Sequence, residues 1–286
     1  MNRSFLLACA VILFNHGLMA QDTFPPDYYG EDYNKKVAFR ENNGQVIGTN
    51  GNQQSGVAFY SEGLWPQVYL KKGSAFSFQF SVGDTSAAVQ DTIFKFDVTC
   101  IGELVHSQNP EGHTIRADYQ NFYLPWTMPD GAENVQAFKS ASYINVWDSV
   151  DMHFYSGSGG EKIAFVVKPG GNPDDIQLLV QGPDSMKLVN GALRLFIEGR
   201  WLELPEAVAY QYDGVNPITE VNWNATYDYV DGSDVVSFHF DTYDTDLPLD
   251  PHRAYTDLAS GTIRWVVLEH LLRRERRREY LRQCVG

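Results

Sequence analysis

The sequence predicts an all-β protein built from sandwich-like antiparallel sheets. Apolar and polar residues alternate at period two through several short runs. Gly and Pro are frequent, 24 and 13 of 286 residues, and they punctuate those runs. Aromatic residues reach 14 % while charged residues stay at 20 %, a balance that suits many strands and turns better than a helical bundle. No stretch before residue 264 shows a 3.6-residue period.

Taken in order, residues 1–20 read as a secretory signal peptide. Arg3 supplies the positive start, "FLLACAVILF" (5–14) is an apolar core too short to span a bilayer, and "GLMA" offers small residues before Gln21. Residues 21–36, with "DTFPPDYYGEDYNKK", form an acidic lead-in expected to be flexible. The all-β domain is expected over 37–260. "FSFQFSV" (76–82) puts Phe76, Phe78, Phe80 and Val82 on one face, and "IFKFDVTC" (93–100) does the same with Phe94, Phe96, Val98 and Cys100. "VWDSVDMHFYSG" (146–157) continues with Val150, Met152 and Phe154. "KIAFVVKPGG", "IQLLVQG", "LRLFIEG", "VAYQYDG", "VNWNATYDYV" and "VVSFHFDTY" follow at the spacing of a β-sandwich or barrel. A candidate boundary lies at "LPWTMPDGAEN" (124–134), near residue 128, which would give two β subdomains. The expected core comprises Phe78, Phe80, Phe94, Phe96, Val150, Phe154, Phe165, Val167, Leu179, Leu195, Trp223, Phe238 and Phe240.

Charge narrows the partners. The chain carries −14 overall. Residues 21–263 hold 14 Lys and Arg against 33 Asp and Glu, whereas 264–286 hold seven Arg against three Glu. A body this acidic repels phosphate backbones, so no nucleic-acid partner is expected. No transmembrane span is expected in the mature chain. Cys100 is the one cysteine of the body, since Cys9 lies in the leader and Cys284 in the tail, so the body must reach stability through core burial alone.

Motif by motif, structural readings outweigh chemical ones. "YSGSGGEK" (155–162) has the glycines of a phosphate loop, but Lys162 leads into the strand-like "IAFVV" rather than a helix, so a hairpin turn is expected. Aspartates cluster in "DGSD" (231–234) and "DTYDTDLPLD" (241–250); their spacing departs from a calcium-binding loop and suits exposed turns. His106, His113, His153, His239 and His252 form no His-Glu-x-x-His, and no Gly-x-Ser-x-Gly elbow occurs. Accordingly no catalytic, metal-ligating or cofactor-binding residue is assigned, and no cofactor is expected. Trp65, Trp126, Trp147, Trp201 and Trp223 are candidates for a sugar-stacking platform, with core packing the simpler use. Paired carboxylates of a glycoside hydrolase would meet only in the fold, and nothing marks a pair.

Several stretches together resemble a known family. "VAFRENNGQV" (37–46) is similar to the Phe-x-Glu-Asn-x-Gly-Gln opening of an uncharacterised N-terminal all-β domain of Bacteroidota cell-surface proteins, which carry SBBP (β-propeller) repeats behind it. "VYLKKGSAFSFQF" resembles its next strand pair. Tyr143, Trp147, Val150, Asp151, Phe154 and Tyr155 take the places of its central aromatic and aspartate pattern. "FVVKPGGNPDDIQLLVQG" matches its Pro-Gly block, with Ala164 where an acidic residue is more usual, and "PEAVAYQ" and "YDTDLPLDP" resemble its closing strands. The resemblance runs from about residue 37 to 251. It implies an exported, cell-surface or secreted protein of the kind that ends in a type IX sorting domain, and it assigns no enzymatic residue.

This chain departs from that pattern at 261–286, where a basic tail, "LEHLLRRERRREYLRQCVG" at its end, stands in place of repeats. Two readings stand. A one-base shift after Trp265 allows the run to be reread, with permitted codon choices, as "WYWSTYYGGSGDESTYVNAS", which restores the family's repeat start and makes the tail a frameshift product of a truncated chain. Alternatively Leu268, Leu271 and Leu272 line one face of a short basic helix suited to anionic lipid or the acidic body. The function expected is a non-enzymatic module of an exported surface repeat protein, in adhesion or in presentation of other domains, with surface glycans or other surface proteins as partners. The alternatives are a carbohydrate-binding module and a secreted hydrolase.

Overall fold

Phenylalanine at every second position makes β4 (Ala75–Val82) and β5 (Thr92–Ile101) one floor of the core. The two strands pair antiparallel with Phe78 opposite Phe96 and Phe80 opposite Phe94, so the rings of both strands fall on one side. Each ring so buried contributes about 1.5–3 kcal/mol. A computed structural model describes residues 38–62, 66–82, 92–103, 105–125, 128–157, 160–198, 200–204, 207 and 226–239. The leader, the lead-in and the basic tail with its expected helix lie outside the described residues, as do Trp223 and Phe240.

Around this floor the chain builds a twelve-stranded antiparallel sheet. On one side of β4 come β3 (Gln67–Lys71), β2 (Val57–Glu62) and β1 (Ala38–Glu41), joined in series. On the far side of β5 come β10 (Gln177–Gln181), β15 (Val235–His239) and the edge strand β14 (Thr226–Asp228). From β1 the sheet passes to β7 (Met128–Trp147), β8 (Val150–Gly157) and β9 (Gly160–Val167), and β6 (Glu111–Leu124) lies along the other edge of β7.

The twenty-residue β7 lets one sheet form both layers. Its Phe138 pairs with Phe39 of β1 on one edge and Ile115 of β6 on the other; four residues later Ser142 pairs with His153 of β8 and Glu111 of β6. β1 and β8 therefore take successive lengths of the same edge, and the sheet folds over between them. The layers meet through aromatic rings: Phe76 of β4 lies 5.0 Å from Phe154 of β8. Strands from the two ends of the path also touch, with Phe165 of β9 5.7 Å from Phe238 of β15. A three-stranded sheet, β11 (Ser185–Val189), β12 (Ala192–Ile197) and β13 (Arg200–Leu204), adds Met186, Leu193, Leu195 and Leu202 to the same core.

The all-β, sandwich-like prediction holds for the described residues, whose one helical piece is a 3₁₀ turn at Pro173–Asp175. Of the expected core, Phe78, Phe80, Phe94, Phe96, Val150, Phe154, Val167 and Leu195 are buried, and Phe165 and Phe238 pack against them. Leu179 is a correction. Ile176, Leu178 and Val180 face the core, so period two turns Leu179 to the opposite face, beside Thr99 of β5. Residue 128 opens β7 in the β6–β7 hairpin, where Met128, Ala132 and Val135 form a small satellite core with Phe122 and Leu124.

Candidate functional site

The opening motif builds a turn. Asn42 donates through Nδ2 to the carbonyls of Gln54 and Val57, both at 2.9 Å, while its Oδ1 accepts from the amides of Gly44 and Val46. Gln45 donates to the Glu41 carbonyl and accepts from the Asn43 amide. Gly44 sits at φ 108, a region costly to any residue with a Cβ, and a Cβ there would lie 3.1 Å from the Met128 sulfur. Beside the turn, Arg40 is 1 % exposed and holds Glu62 through two nitrogens at 2.6 and 2.8 Å, with a third bond to the Val135 carbonyl. That bidentate ion pair fastens β1 to β2 and β7.

The central motif fastens the layers. Tyr143 Oη lies 2.7 Å from the Lys71 carbonyl and 2.6 Å from that of Ala75, across the sandwich. Trp147 Nε1 donates to the Ile101 carbonyl at 2.9 Å. Asp151, 3 % exposed, accepts from the backbone amide of Asn145 at 2.7 Å and from Lys168 Nζ at 2.8 Å. Asn145 has φ 51, so Asp151 holds a left-handed residue at the irregularity where β7 and β8 change register.

Of the five candidate tryptophans, Trp147 is fully buried and Trp201 lies half-buried under Arg194, whose guanidinium carbon is 5.5 Å from the ring centre. Trp65, Trp126 and Trp223 lie outside the described residues. Two of the histidines come together: His113 bonds Ser142, which pairs with the buried His153, whereas His106 pairs with Asp148 on the surface and His239 ends β15; His252 lies outside the described residues. Burial, with His113 and Lys168 nearby, holds the His153 imidazole down to about 3. β8 and β9 pair antiparallel as the expected hairpin requires, down to Gly157 opposite Gly160, with 158 and 159 outside the described residues. Asp231 and Asp234 are exposed in the β14–β15 turn, and 241–250 lie outside the described residues. No group of three metal-ligating side chains occurs among the described residues.

Sequence reasoning missed the outer face of the sheet. A row runs across five strands: Tyr60, Tyr69, Ser77, Asp97 and Gln181. The two tyrosine rings stack at 6.2 Å, and Tyr69 donates to Gln67 at 2.7 Å. Asp97 is held by Lys71, by Lys95 at 2.8 Å and by Ser77 at 2.5 Å. Burial alone would raise its carboxyl; these hydrogen bonds outweigh burial and bring it down to about 2. The alternation in "VAFYSE" and "QVYLK" was the signal that would have placed both tyrosines outward. The face offers the aromatic surface of the two tyrosines and side-chain amides side by side, while Ser77 at 1 % exposure is closed to solvent.

Among the described residues no helix is long and apolar enough to cross a membrane. Neither a curated protein nor a solved structure matches the chain. Residues 39–252 match the model of a family described as a domain of unknown function (DUF7948), a span that includes the Asn42 turn, the Tyr143–Asp151 fasteners and every described strand after β1. The chain therefore belongs to the DUF7948 family.

Proposed function

We propose that this chain is a non-enzymatic module of an exported cell-surface protein of the Bacteroidota repeat type, acting in adhesion or in presenting other domains. One observation carries the reading. The polar residues of the motifs that carry the family resemblance, Asn42, Gln45, Tyr143, Trp147 and Asp151, are spent on backbone groups and on the core. Polar residues spent in this way build a scaffold, and function then resides on the surfaces and loops that the scaffold carries. The apolar N-terminal stretch supports export. Protease treatment of intact cells tests it: loss of the domain from unbroken cells is expected, and full protection until lysis would overturn the surface location.

A second reading, carbohydrate binding, is favoured by the Tyr60–Tyr69 stack and its row of polar neighbours. Aromatic faces take up the C–H face of a sugar ring while amides and hydroxyls bond its oxygens. Binding on a glycan array that vanishes on Tyr60→Ala and Tyr69→Ala is the expected result; an array silent for the wild-type chain would remove this reading.

A further inference from the structure

At the β7–β8 corner three side chains meet whose chemistry fits a covalent step. Lys168 Nζ lies 3.1 Å from Asn145 Oδ1 and 2.8 Å from Asp151 Oδ1. Asp151 is 4 % exposed, and its Oδ1 also accepts the Asn145 backbone amide at 2.7 Å. Lys168 is anchored in turn, its amide donating to the Ser149 carbonyl at 2.8 Å. An amine, a carboxamide and a fixed carboxylate thus share one small volume. We propose that Lys168 and Asn145 join spontaneously in an amide cross-link, with Asp151 as the proton carrier.

The step balances without an outside reagent. Asp151 takes a proton from the Lys168 ammonium, freeing the amine lone pair. Nζ attacks Asn145 Cγ and displaces the carbonyl π electrons onto Oδ1. Asp151 returns its proton to Nδ2, the Cγ–Nδ2 bond breaks, the carbonyl re-forms, and Asp151 then carries the surplus proton of the new amide nitrogen to the departing ammonia. Of the three ammonium protons, one stays on the new amide nitrogen and two leave with the former Nδ2 group as ammonium ion; Asp151 ends as it began. No group is oxidised or reduced.

The Lys168 side chain is 35 % exposed and Asn145 is exposed, so both partners face water. The reaction happens once per molecule and needs no turnover, and holding the amine beside the carboxamide turns a bimolecular encounter into an intramolecular one. The left-handed backbone of Asn145, φ 51, is held by Asp151 and keeps its side chain turned toward Lys168. The cross-link would tie the end of β7 to the loop that follows β9.

Mass spectrometry of the purified full-length chain after chymotryptic digestion tests this. The expected result is a joined peptide holding residues 145 and 168, lighter by one ammonia than its two parts. It should be absent from Asn145→Ala and from Lys168→Arg. The arginine variant keeps the ion pair to Asp151, and circular dichroism shows whether it folds. Asp151→Asn should slow joining at least tenfold in any folded fraction. Separate, unmodified peptides from wild-type protein after long incubation at neutral pH would overturn the proposal, as would conversion of Asn145 to aspartate without joining.

Discussion

His153 illustrates how one residue reports on the fold. It sits on β8 with its neighbours Met152 and Phe154 fully buried, and it is buried too, on the opposite face, because β8 is covered on both sides. Its imidazole is held neutral down to about pH 3, by burial first and by His113 and Lys168 after it. The unfolded chain titrates near 6.5. Below that pH the unfolded state binds a proton that the native state refuses. Stability is therefore complete above about 6.5 and falls as pH drops toward 3, by up to about 1.4 kcal/mol per pH unit from this group alone. Asp97 acts in a different window: its stabilising share is present above its unfolded value near 3.9 and is lost as pH falls through about 2. Urea midpoints measured between pH 7 and 4.5 should decline for the wild type and decline less for His153→Gln. Parallel slopes for the two proteins would contradict the assignment.

At the scale of elements, strands that keep one partner set and one buried face were legible, and the others were not. β4 and β5 bury Phe76, Phe78, Phe80, Phe94, Phe96 and Val98 on a single face, so period two survives from end to end. β7 exchanges β1 for β8 halfway along, and its buried positions shift from the unevenly spaced Met128, Ala132, Val135 and Ala137 to the continuous Ser140–Tyr143 run. No single period describes it. β6 was invisible for the opposite reason: Ile115, Tyr119 and Tyr123 are all exposed, and register shifts between Ile115 and Tyr119 break its pairing with β7. Such irregularity suits an edge strand, because it leaves a poor template for another chain. The candidate surfaces followed the same rule. The Asn42 turn carried a sequence signature, since each residue of it has a backbone task. The contact of Lys168 with Asn145 had none, because the two are brought together only when the β8–β9 hairpin folds back on the β7 corner.

For the whole molecule, the path of the sheet decides how it unfolds. A cut near residue 128 would leave β1–β5 with Phe76, Phe78, Phe80, Phe94 and Phe96 facing nothing, because the opposing layer is β7–β9. It would also strip Tyr143 of its two carbonyl partners and Trp147 of Ile101. Each buried phenylalanine so exposed costs about 1.5–3 kcal/mol, and five of them alone match the net stability of a typical domain, about 5–15 kcal/mol. On these terms each half is expected to need the other, and the small sheet is bound to the same core through Leu193, Leu195 and Leu202. Calorimetry on the full chain should accordingly give one transition, with equal calorimetric and van't Hoff enthalpies. Fluorescence of Trp147, isolated by replacing the other tryptophans with Phe, should follow the same curve as far-ultraviolet circular dichroism. Two separated transitions, or a tryptophan signal lost before the sheet signal, would mean that the layers part before the strands do and that the fold-over at β7 is not the joint that holds the molecule together.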